Sequence, residues 1–192
     1  MDYIRAHAGY PYAAFGINNR RTGLMNLCYG NAVLSRFPLV GTETVVFGRR
    51  RVGEKGFLFV EIDVGGRILP LVNLHFHYGS RKRRLLQLDL LLAWLRIKKH
   101  ERGLGWAVLP VVCGDFNTPD TGDDATAALL GHLHDYGDYS LHPHRLATYP
   151  SPMPRRALDF VFVPPGCRGV RCDVVRSVLS DHRPVLVEFS VA

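Results

Sequence analysis

The sequence has 192 residues, of which 47% are hydrophobic, and its formal net charge is +7. This length is enough for one domain with a sizeable core and too short for two, so we expect a single domain over residues 1–192. The positive charge favours a polyanionic partner or substrate, such as nucleic acid or an acidic lipid head group. No uncharged apolar run reaches the length of a membrane span, so no transmembrane segment is expected.

The first 21 residues contain no apolar core of a signal peptide, and we therefore expect a cytoplasmic location. The four cysteines do not show the CxxC spacing of a zinc site. Cys113 falls in an apolar run and is expected to be a buried thiol. A disulfide between Cys167 and Cys172 is compatible with the sequence, although nothing in it requires one.

The N-terminal part of the chain predicts mainly β-structure after a short helix at residues 3–8. Five strands are predicted there: residues 12–15, 30–36, 42–47, 57–64 and 67–77. Gly65 and Gly66 separate the last two strands, and two glycines between apolar runs indicate a two-residue hairpin turn.

Polar side chains alternate with apolar ones in the last of these strands. Asn73, His75 and His77 therefore share one face of the strand. A polar face at the end of a strand is typical of a functional site. A surface strand with incidental histidines is the alternative.

Residues 80–99 carry the clearest helical pattern of the chain. Their apolar residues recur at helical spacing: Leu85, Leu88, Leu92 and Leu95. Ser80 is a suitable N-cap, and Gly103 follows the expected end. Basic residues at 81–84 open the helix, where cations oppose its macrodipole. This cluster and the arginines at 49–51 either hold anionic groups of a substrate or form solvated turns.

The apolar run at residues 107–113 predicts a buried strand that stops at Gly114. Asp115 and Asn117 follow two residues apart, so an extended backbone would point both in the same direction. Asp supplies a hard oxygen ligand for Mg²⁺ or Mn²⁺, and Asn can donate to a phosphate oxygen without adding negative charge. The alternative is an ordinary strand exit, where these residue types are common.

The C-terminal part predicts a helix and three strands: residues 123–133, 157–163, 170–178 and 185–191. Asp159 lies inside an otherwise apolar strand, where an acid is costly unless it is paired. His182 is the natural partner, because histidine suits proton transfer near neutral pH. Two HxH pairs, at 132–134 and 142–144, raise a zinc site as a minor alternative, since no closing histidine follows either pair.

Four motifs occur in order: NxHxH at 73–77, GDFN at 114–117, LDFVFV at 158–163 and SDHRP at 180–184. Together they resemble the endonuclease/exonuclease/phosphatase superfamily, the deoxyribonuclease I-like group of divalent-metal phosphohydrolases. The segments at 30–38 and 148–151 and the helical pair Arg84 and Gln87 add to this resemblance. It implies an α/β (α+β) fold of two packed mixed β-sheets flanked by helices, a four-layer sandwich.

The resemblance also implies roles for individual residues. His182 would activate a water for in-line attack, and Asp159 would fix the tautomer of His182. Asp115 and Asn117 would orient the water or phosphate, with Asp115 near or on the metal. His75 would donate a hydrogen bond to the phosphate and stabilise the transition state. The implied ligands of Mg²⁺ or Mn²⁺ are Asp115, Asn117 and Asp181. The implied contacts to the substrate phosphate are Asn73, His75, Asn117 and Arg84. Arg156 is also expected to contact the phosphate, because it comes just before the strand that carries Asp159.

The family carries two further strands upstream, with an Asn and a metal-binding Glu, whereas the only acidic residue before Gly30 here is Asp2. We therefore expect an N-terminally incomplete site with weaker metal binding and slower chemistry. The implied function is a divalent-metal-dependent phosphoester hydrolase, either a nuclease or a phosphodiesterase/phosphatase.

One alternative is a catalytically degraded family member that binds an anionic ligand. A plain nucleic-acid-binding domain is disfavoured, because aromatic residues do not interleave with the arginine clusters. The substrate is not readable from the sequence, although the charge favours nucleic acid, and the oligomeric state is not readable either.

Overall fold

The computed structural model describes residues 7–21, 27–48, 55–118, 125–135 and 137–191. Within these residues the elements follow one another as β1 Tyr12–Arg21, β2 Leu27–Ser35, β3 Leu39–Val46, β4 Gly56–Val64, β5 Arg67–His75, α1 Arg81–Arg102, a 3-10 turn Gly103–Gly105, β6 Val111–Asp115, α2 Ala125–His134, β7 Ser140–His142, β8 Asp159–Val163, β9 Cys167–Val174 and β10 Val185–Val191.

A mixed six-stranded sheet forms the centre of the molecule, with the strand order β3-β4-β5-β6-β8-β7. Only the β5–β6 pair in this sheet is parallel. The strands β1 and β2 form a separate antiparallel pair that packs against β3, β4 and β5. The strands β9 and β10 form a second antiparallel pair, which meets the sheet through β10 and β8.

Strand β4 explains why the sheet is covered on both faces. Its residues from Gly56 to Ile62 are all buried, and all but Glu61 lack a polar side chain, a pattern typical of a strand packed on both sides. Phe57 and Phe59 join the large core beneath the helices. Leu58 and Val60 face the other way and form a small core with apolar residues of the β1–β2 pair.

The predicted α+β fold is confirmed, with two differences in its layers. The second layer consists of two separate antiparallel pairs rather than one mixed sheet, and no ladder joins β2 to β10 among the described strands. Both described helices contribute to one core on the same face of the six-stranded sheet. In the part of the chain that the structure describes, both helices therefore form one layer on this face of the sheet.

Local signals in the sequence located most elements well. Ser80 caps α1 and accepts a hydrogen bond from the Arg83 backbone N–H at 3.4 Å. Gly65 and Gly66 both have positive φ, as the predicted hairpin turn requires. Neither described helix is long and apolar enough to cross a membrane.

Most predicted strands differ from the structure by several residues at one end, and the short strand β7 was not predicted. β6 and β9 show the kinds of difference. β6 begins at Val111, four residues later than predicted, because the preceding segment bends and ends in Pro110, which has no N–H to donate. β9 begins three residues earlier than predicted and ends at Val174. The predicted helical residues 3–6 and 123–124 and the arginines at 49–51 lie outside the described residues.

A substitution at Gly114 tests the described pairing of β6 with β5. Its φ is +137°, and a Cβ at this position would overlap the carbonyl oxygen of Leu74 on the neighbouring strand. We expect Gly114→Ala to lower the free energy of unfolding by about 3 kcal/mol or more, through backbone strain and steric overlap. Urea denaturation followed by circular dichroism measures this change.

Gly131 in α2 is the matched control, because a Cβ there would meet no atom within 4 Å. Gly131→Ala should raise the free energy of unfolding by about 0.5–1 kcal/mol, the usual gain of alanine over glycine in a helix. Equal unfolding midpoints for the two variants would contradict the described register of β6 against β5.

Candidate active site

A cleft of about 540 Å³ opens between β2 and the loop that precedes β10. Its floor is built from the ends of β5, β6 and β8. Strand register explains why polar residues meet there, since His75 pairs with Asp115 and Asp115 pairs with Asp159. Three chemically active side chains from three distant parts of the sequence therefore stand in one row across the sheet.

His182 and Asp159 form a short polar contact within the cleft. His182 Nδ1 lies 2.7 Å from Asp159 Oδ2, and both side chains are largely buried. Desolvation lowers the pKa of His182, but the hydrogen bond and charge of Asp159, with the charges of Asp115 and Asp181, raise it above its usual value of 6.5. The predicted pairing of this histidine with an acid inside β8 is thus present in the geometry.

The loop that carries His182 is held by a second loop, at residues 148–151. This second loop resembles a segment of the family, but no site residue was predicted in it. The Ser151 N–H donates to Asp181 O, and the Arg183 N–H donates to Thr148 O, both at 2.8 Å. The ring of Tyr149 packs against the ring of His182, with centroids 4.9 Å apart. These contacts position His182. Thr148, Tyr149 and Ser151, which make them, were not predicted to belong to the site.

Asn117 does not point in the same direction as Asp115 from an extended backbone. Its φ is +50°, in the left-handed region, so the chain curls after β6. The Asn117 backbone N–H donates to Asp115 Oδ1 at 2.8 Å, and Nδ2 donates to Asp115 Oδ2 at 3.1 Å and to Phe76 O at 3.0 Å. The amide nitrogen of Asn117 thus orients the carboxylate of Asp115.

His75 has a partner that the sequence did not predict, namely Lys55, which directly precedes β4. Lys55 Nζ lies 2.8 Å from His75 Nε2, and His75 Nε2 lies 3.4 Å from Asp115 Oδ2. Desolvation, followed by the charges of Lys55 and His182, lowers the pKa of His75 to about 4, so this ring is neutral near pH 7. Desolvation also lowers the pKa of Lys55, against the opposing charge of Asp115.

The residues present fit a divalent cation. Burial, and then the negative charge of Asp159, raises the pKa of Asp115 to about 6. The negative charges of two neighbouring carboxylates repel each other, and a bound cation offsets this repulsion. Ligand atoms of Asp115, Asp159 and His182 lie within 4.8 Å of one another. Mg²⁺ commonly binds through only one or two carboxylates, with water and phosphate oxygens completing its shell.

The other predicted site residues lie around the cleft or away from it. Asp181 is exposed, accepts from Ser180 Oγ at 3.2 Å and does not belong to the carboxylate cluster. Asn73 lines the cleft, but its Nδ2 donates to Ala32 O at 3.0 Å and so joins β5 to β2. Among the described residues, the group of three potential ligands includes neither HxH pair, so the zinc alternative gains no support.

The two predicted phosphate-binding arginines are not among the residues that line the cleft. Arg84 is only 4% exposed and donates to the carbonyl oxygens of His77 and Tyr78. It therefore holds the turn between β5 and α1 together. Arg156 is exposed, and its backbone pairs with Tyr149 beside the loop that supports His182.

The Asp159–His182 contact predicts a titration behaviour that does not depend on catalysis. We expect the pKa of His182 to lie above 6.5 and to fall in Asp159→Asn, because the variant loses the negative charge that stabilises the imidazolium. Histidine ring resonances followed by NMR from pH 3 to 9 measure both values. The pKa of His75, about 4, distinguishes its resonances from those of His182. An unchanged His182 titration in the variant would show that the two side chains do not interact.

Comparison with known proteins identifies the family of this chain. The family model described as Endonuclease/Exonuclease/phosphatase family matches residues 8–182. Comparison with curated protein sequences finds no significant match.

Solved structures with the same fold include three that illustrate its range. A mannosyl-6-phosphatase of Bacteroides thetaiotaomicron is 18% identical, with a TM-score of 0.72 over 98% of this chain and 80% of that chain. Sphingomyelinase C of Streptomyces griseocarneus is 22% identical, with a TM-score of 0.65 over 97% and 80%. The catalytic domain of human Nocturnin with bound sulfate is 18% identical, with a TM-score of 0.71 over 100% and 76%. The resemblance predicted from the motifs is confirmed, and this chain belongs to the endonuclease/exonuclease/phosphatase family.

Proposed function

We propose that this protein hydrolyses phosphoester bonds with the aid of a divalent metal ion and uses His182 as the general base. Endonucleases, exonucleases and phosphatases all hydrolyse phosphoester bonds, so family membership supports the reaction class. The observation that carries the proposal is the 2.7 Å contact between His182 and Asp159, placed beside Asp115 in one cleft.

The Asp159–His182 pair has the arrangement of a general base and its orienting acid. When His182 donates its Nδ1–H to Asp159, the neutral ring keeps Nε2 as a proton acceptor. Nε2 takes a proton from the attacking water, and the carboxylate of Asp159 stabilises the imidazolium that forms. Tyr149 and the backbone contacts of the 180–184 loop keep the ring in place during this transfer.

Asp115 is the proposed main ligand of Mg²⁺ or Mn²⁺, and Asn117 orients the carboxylate of Asp115. Both Asn117 contacts to the carboxylate fix the direction of its oxygen lone pairs, which is the usual task of a residue just outside a metal shell. When bound, the cation supplies a Lewis acid that neutralises charge on the phosphoryl oxygens. Asp159 is the second carboxylate within reach.

His75 is the proposed hydrogen-bond donor to the phosphoryl group. Its depressed pKa keeps the ring neutral, so it can donate one N–H without adding a second positive charge next to Lys55. A donor fixed in place before the reaction stabilises charge that develops on the phosphoryl oxygens in the transition state.

The substrate is a phosphoester, and several kinds are compatible with the fold. The structural neighbours include a protein named for phosphorylated mannose and another named for sphingomyelin. The net charge of +7 supports a polyanionic substrate such as nucleic acid.

Metal binding provides the first test, because it requires no guess about the substrate. Calorimetric titration should show Mn²⁺ binding to the unmodified protein and at least about tenfold weaker binding to Asp115→Asn. Binding should weaken as the pH falls through about 6, because protons then compete for the Asp115 carboxylate. Asp173→Asn removes an exposed acid from β9 and should leave the isotherm unchanged. Identical isotherms for all three proteins would exclude Asp115 as a ligand.

Hydrolysis provides the second test, with 4-nitrophenyl phosphate and bis(4-nitrophenyl) phosphate as substrates in the presence of Mg²⁺ or Mn²⁺. His182→Ala and Asp159→Asn should each lower kcat by about 10²–10⁴-fold, the usual contribution of a positioned general base. The rate should fall towards acid pH as His182 becomes protonated, and this limb should move to lower pH in Asp159→Asn.

His100→Ala removes an exposed histidine near the end of α1 and is the control for this series. A His182→Ala protein that keeps the full rate would refute the assignment of the base. Phosphate binding without turnover by the unmodified protein would instead support the alternative of a degraded family member that binds anions.

A further inference from the structure

Lys55 stands at the edge of the catalytic row and is held there by the fold. The residue that follows it, Gly56, pairs with His75 in the β4–β5 ladder. Asn31 Nδ2 donates to Gly56 O at 2.8 Å, and the Phe47 N–H donates to Lys55 O at 3.0 Å. Its backbone is thus fixed by β2, by β5 and by the end of β3.

Close packing around Gly56, the residue after Lys55, restricts the position of the backbone there. A side chain at position 56 would collide with the carbonyl oxygen of Val45 and with Asn18 Oδ1. Asn31 is buried and also lines the cleft, so the same amide that fixes the backbone after Lys55 belongs to the wall of the site. The position of this lysine is therefore determined by packing around a glycine.

Lys55 is not among the residues that line the cleft, but its side chain reaches from this anchored backbone to His75, which does line it. Nζ lies 2.8 Å from His75 Nε2, and the same ring nitrogen lies 3.4 Å from Asp115 Oδ2. An ammonium group has three donors, so it can contact His75 and a phosphoryl oxygen at the same time. A half-buried cation also acts more strongly on a substrate charge than an exposed one does.

The charges of the site determine which kind of phosphate a cation at this position favours. The row contains Asp115 and Asp159, and both carboxylates repel an anionic substrate. A terminal phosphate carries nearly two negative charges near neutral pH, whereas an internal phosphodiester carries one. A fixed positive charge beside the phosphoryl position therefore favours the terminal phosphate by the additional charge.

We propose that Lys55 is a substrate-binding residue whose ammonium group contacts a non-bridging oxygen of the phosphoryl group and selects terminal phosphates over internal phosphodiesters. This inference rests on the proposed hydrolysis of phosphoesters in the same cleft. It extends that proposal by naming a class of substrate, the phosphomonoesters, and the residue that distinguishes it.

Hydrolysis of the two nitrophenyl substrates by Lys55→Met tests the selection. We expect kcat/KM for 4-nitrophenyl phosphate to fall about tenfold further than kcat/KM for bis(4-nitrophenyl) phosphate, because only the monoester loses the interaction of its second charge. Lys55→Arg keeps the charge and should restore most of the preference. Lys99→Met removes an exposed lysine from the last turns of α1 and should change neither value. Equal losses on both substrates, or no recovery with arginine, would overturn the selection.

Binding without turnover separates this inference from the proposed reaction. Calorimetry with inorganic phosphate and with dimethyl phosphate, at pH 8 and saturating Mg²⁺, should show that Lys55→Met weakens binding of inorganic phosphate about tenfold more. This outcome supports the role of Lys55 even if the unmodified protein hydrolyses neither nitrophenyl substrate, in which case the proposed function alone fails.

Mn²⁺ titration of the same variants excludes a different role for the lysine. Lys55→Met should bind Mn²⁺ at least as tightly as the unmodified protein does, because the variant loses a positive charge that acts on Asp115. Tighter Mn²⁺ binding with unchanged phosphate affinity would overturn the proposal, because it would mean that the ammonium group occupies the position of the metal. Circular dichroism and thermal unfolding of each variant establish that the differences arise in the folded protein.

Discussion

The parallel pairing of β5 and β6 is the constraint on which the rest of the site depends. Parallel neighbours need a crossover, and α1 provides it by passing over one face of the sheet. The carboxyl ends of the two strands then lie together, so His75 stands beside Asp115. Because β8 runs antiparallel to β6, its first residue, Asp159, joins the same row. One crossover therefore creates both the main core and the polar edge.

The electrostatics of the row form a set of mutually dependent groups. Each carboxylate is partly removed from water, and each has a basic or amide neighbour that reduces the cost of its charge. His182 gains a proton more readily because of Asp159, whereas His75 gains one less readily because of its burial and Lys55. Two histidines in one cleft are thus separated into a proton acceptor and a neutral donor by their surroundings.

Sequence patterns predicted those features that local chemistry determines. The N-cap at Ser80 and the two-glycine turn each depend on a few neighbouring residues, and each agrees with the structure. The acid in an apolar strand was also predicted, although Asp159 is the first residue of β8 and not an interior one. The pairing of Asp159 with His182 was also accessible, because a half-buried acid needs a partner and the site histidine follows within the same C-terminal segment.

Other features depend on contacts between distant parts of the chain and left no local signal. The link between Lys55 and His75 follows from the register of β4 and β5, and Lys55 alone looks like one more cation after an arginine-rich segment. The left-handed turn at Asn117 redirected a side chain that strand alternation had pointed elsewhere. Arg84 looked like a phosphate ligand, but its burial commits it to backbone carbonyls. The division of the second layer depends on strand pairing that hydrophobic pattern alone does not specify.

The division of the second layer has a consequence for how the protein loses activity on heating. His182 is attached to β10, which belongs to a two-stranded sheet, whereas Asp159 is attached to the six-stranded sheet above the large core. Elements with few buried contacts open locally at lower free energy than the core does. We therefore expect the proposed base and its acid to belong to cooperative units of different stability. The proposed pairing of His182 with Asp159 should be lost in a reversible local opening of the β9–β10 pair, while the central sheet and both described helices are still folded.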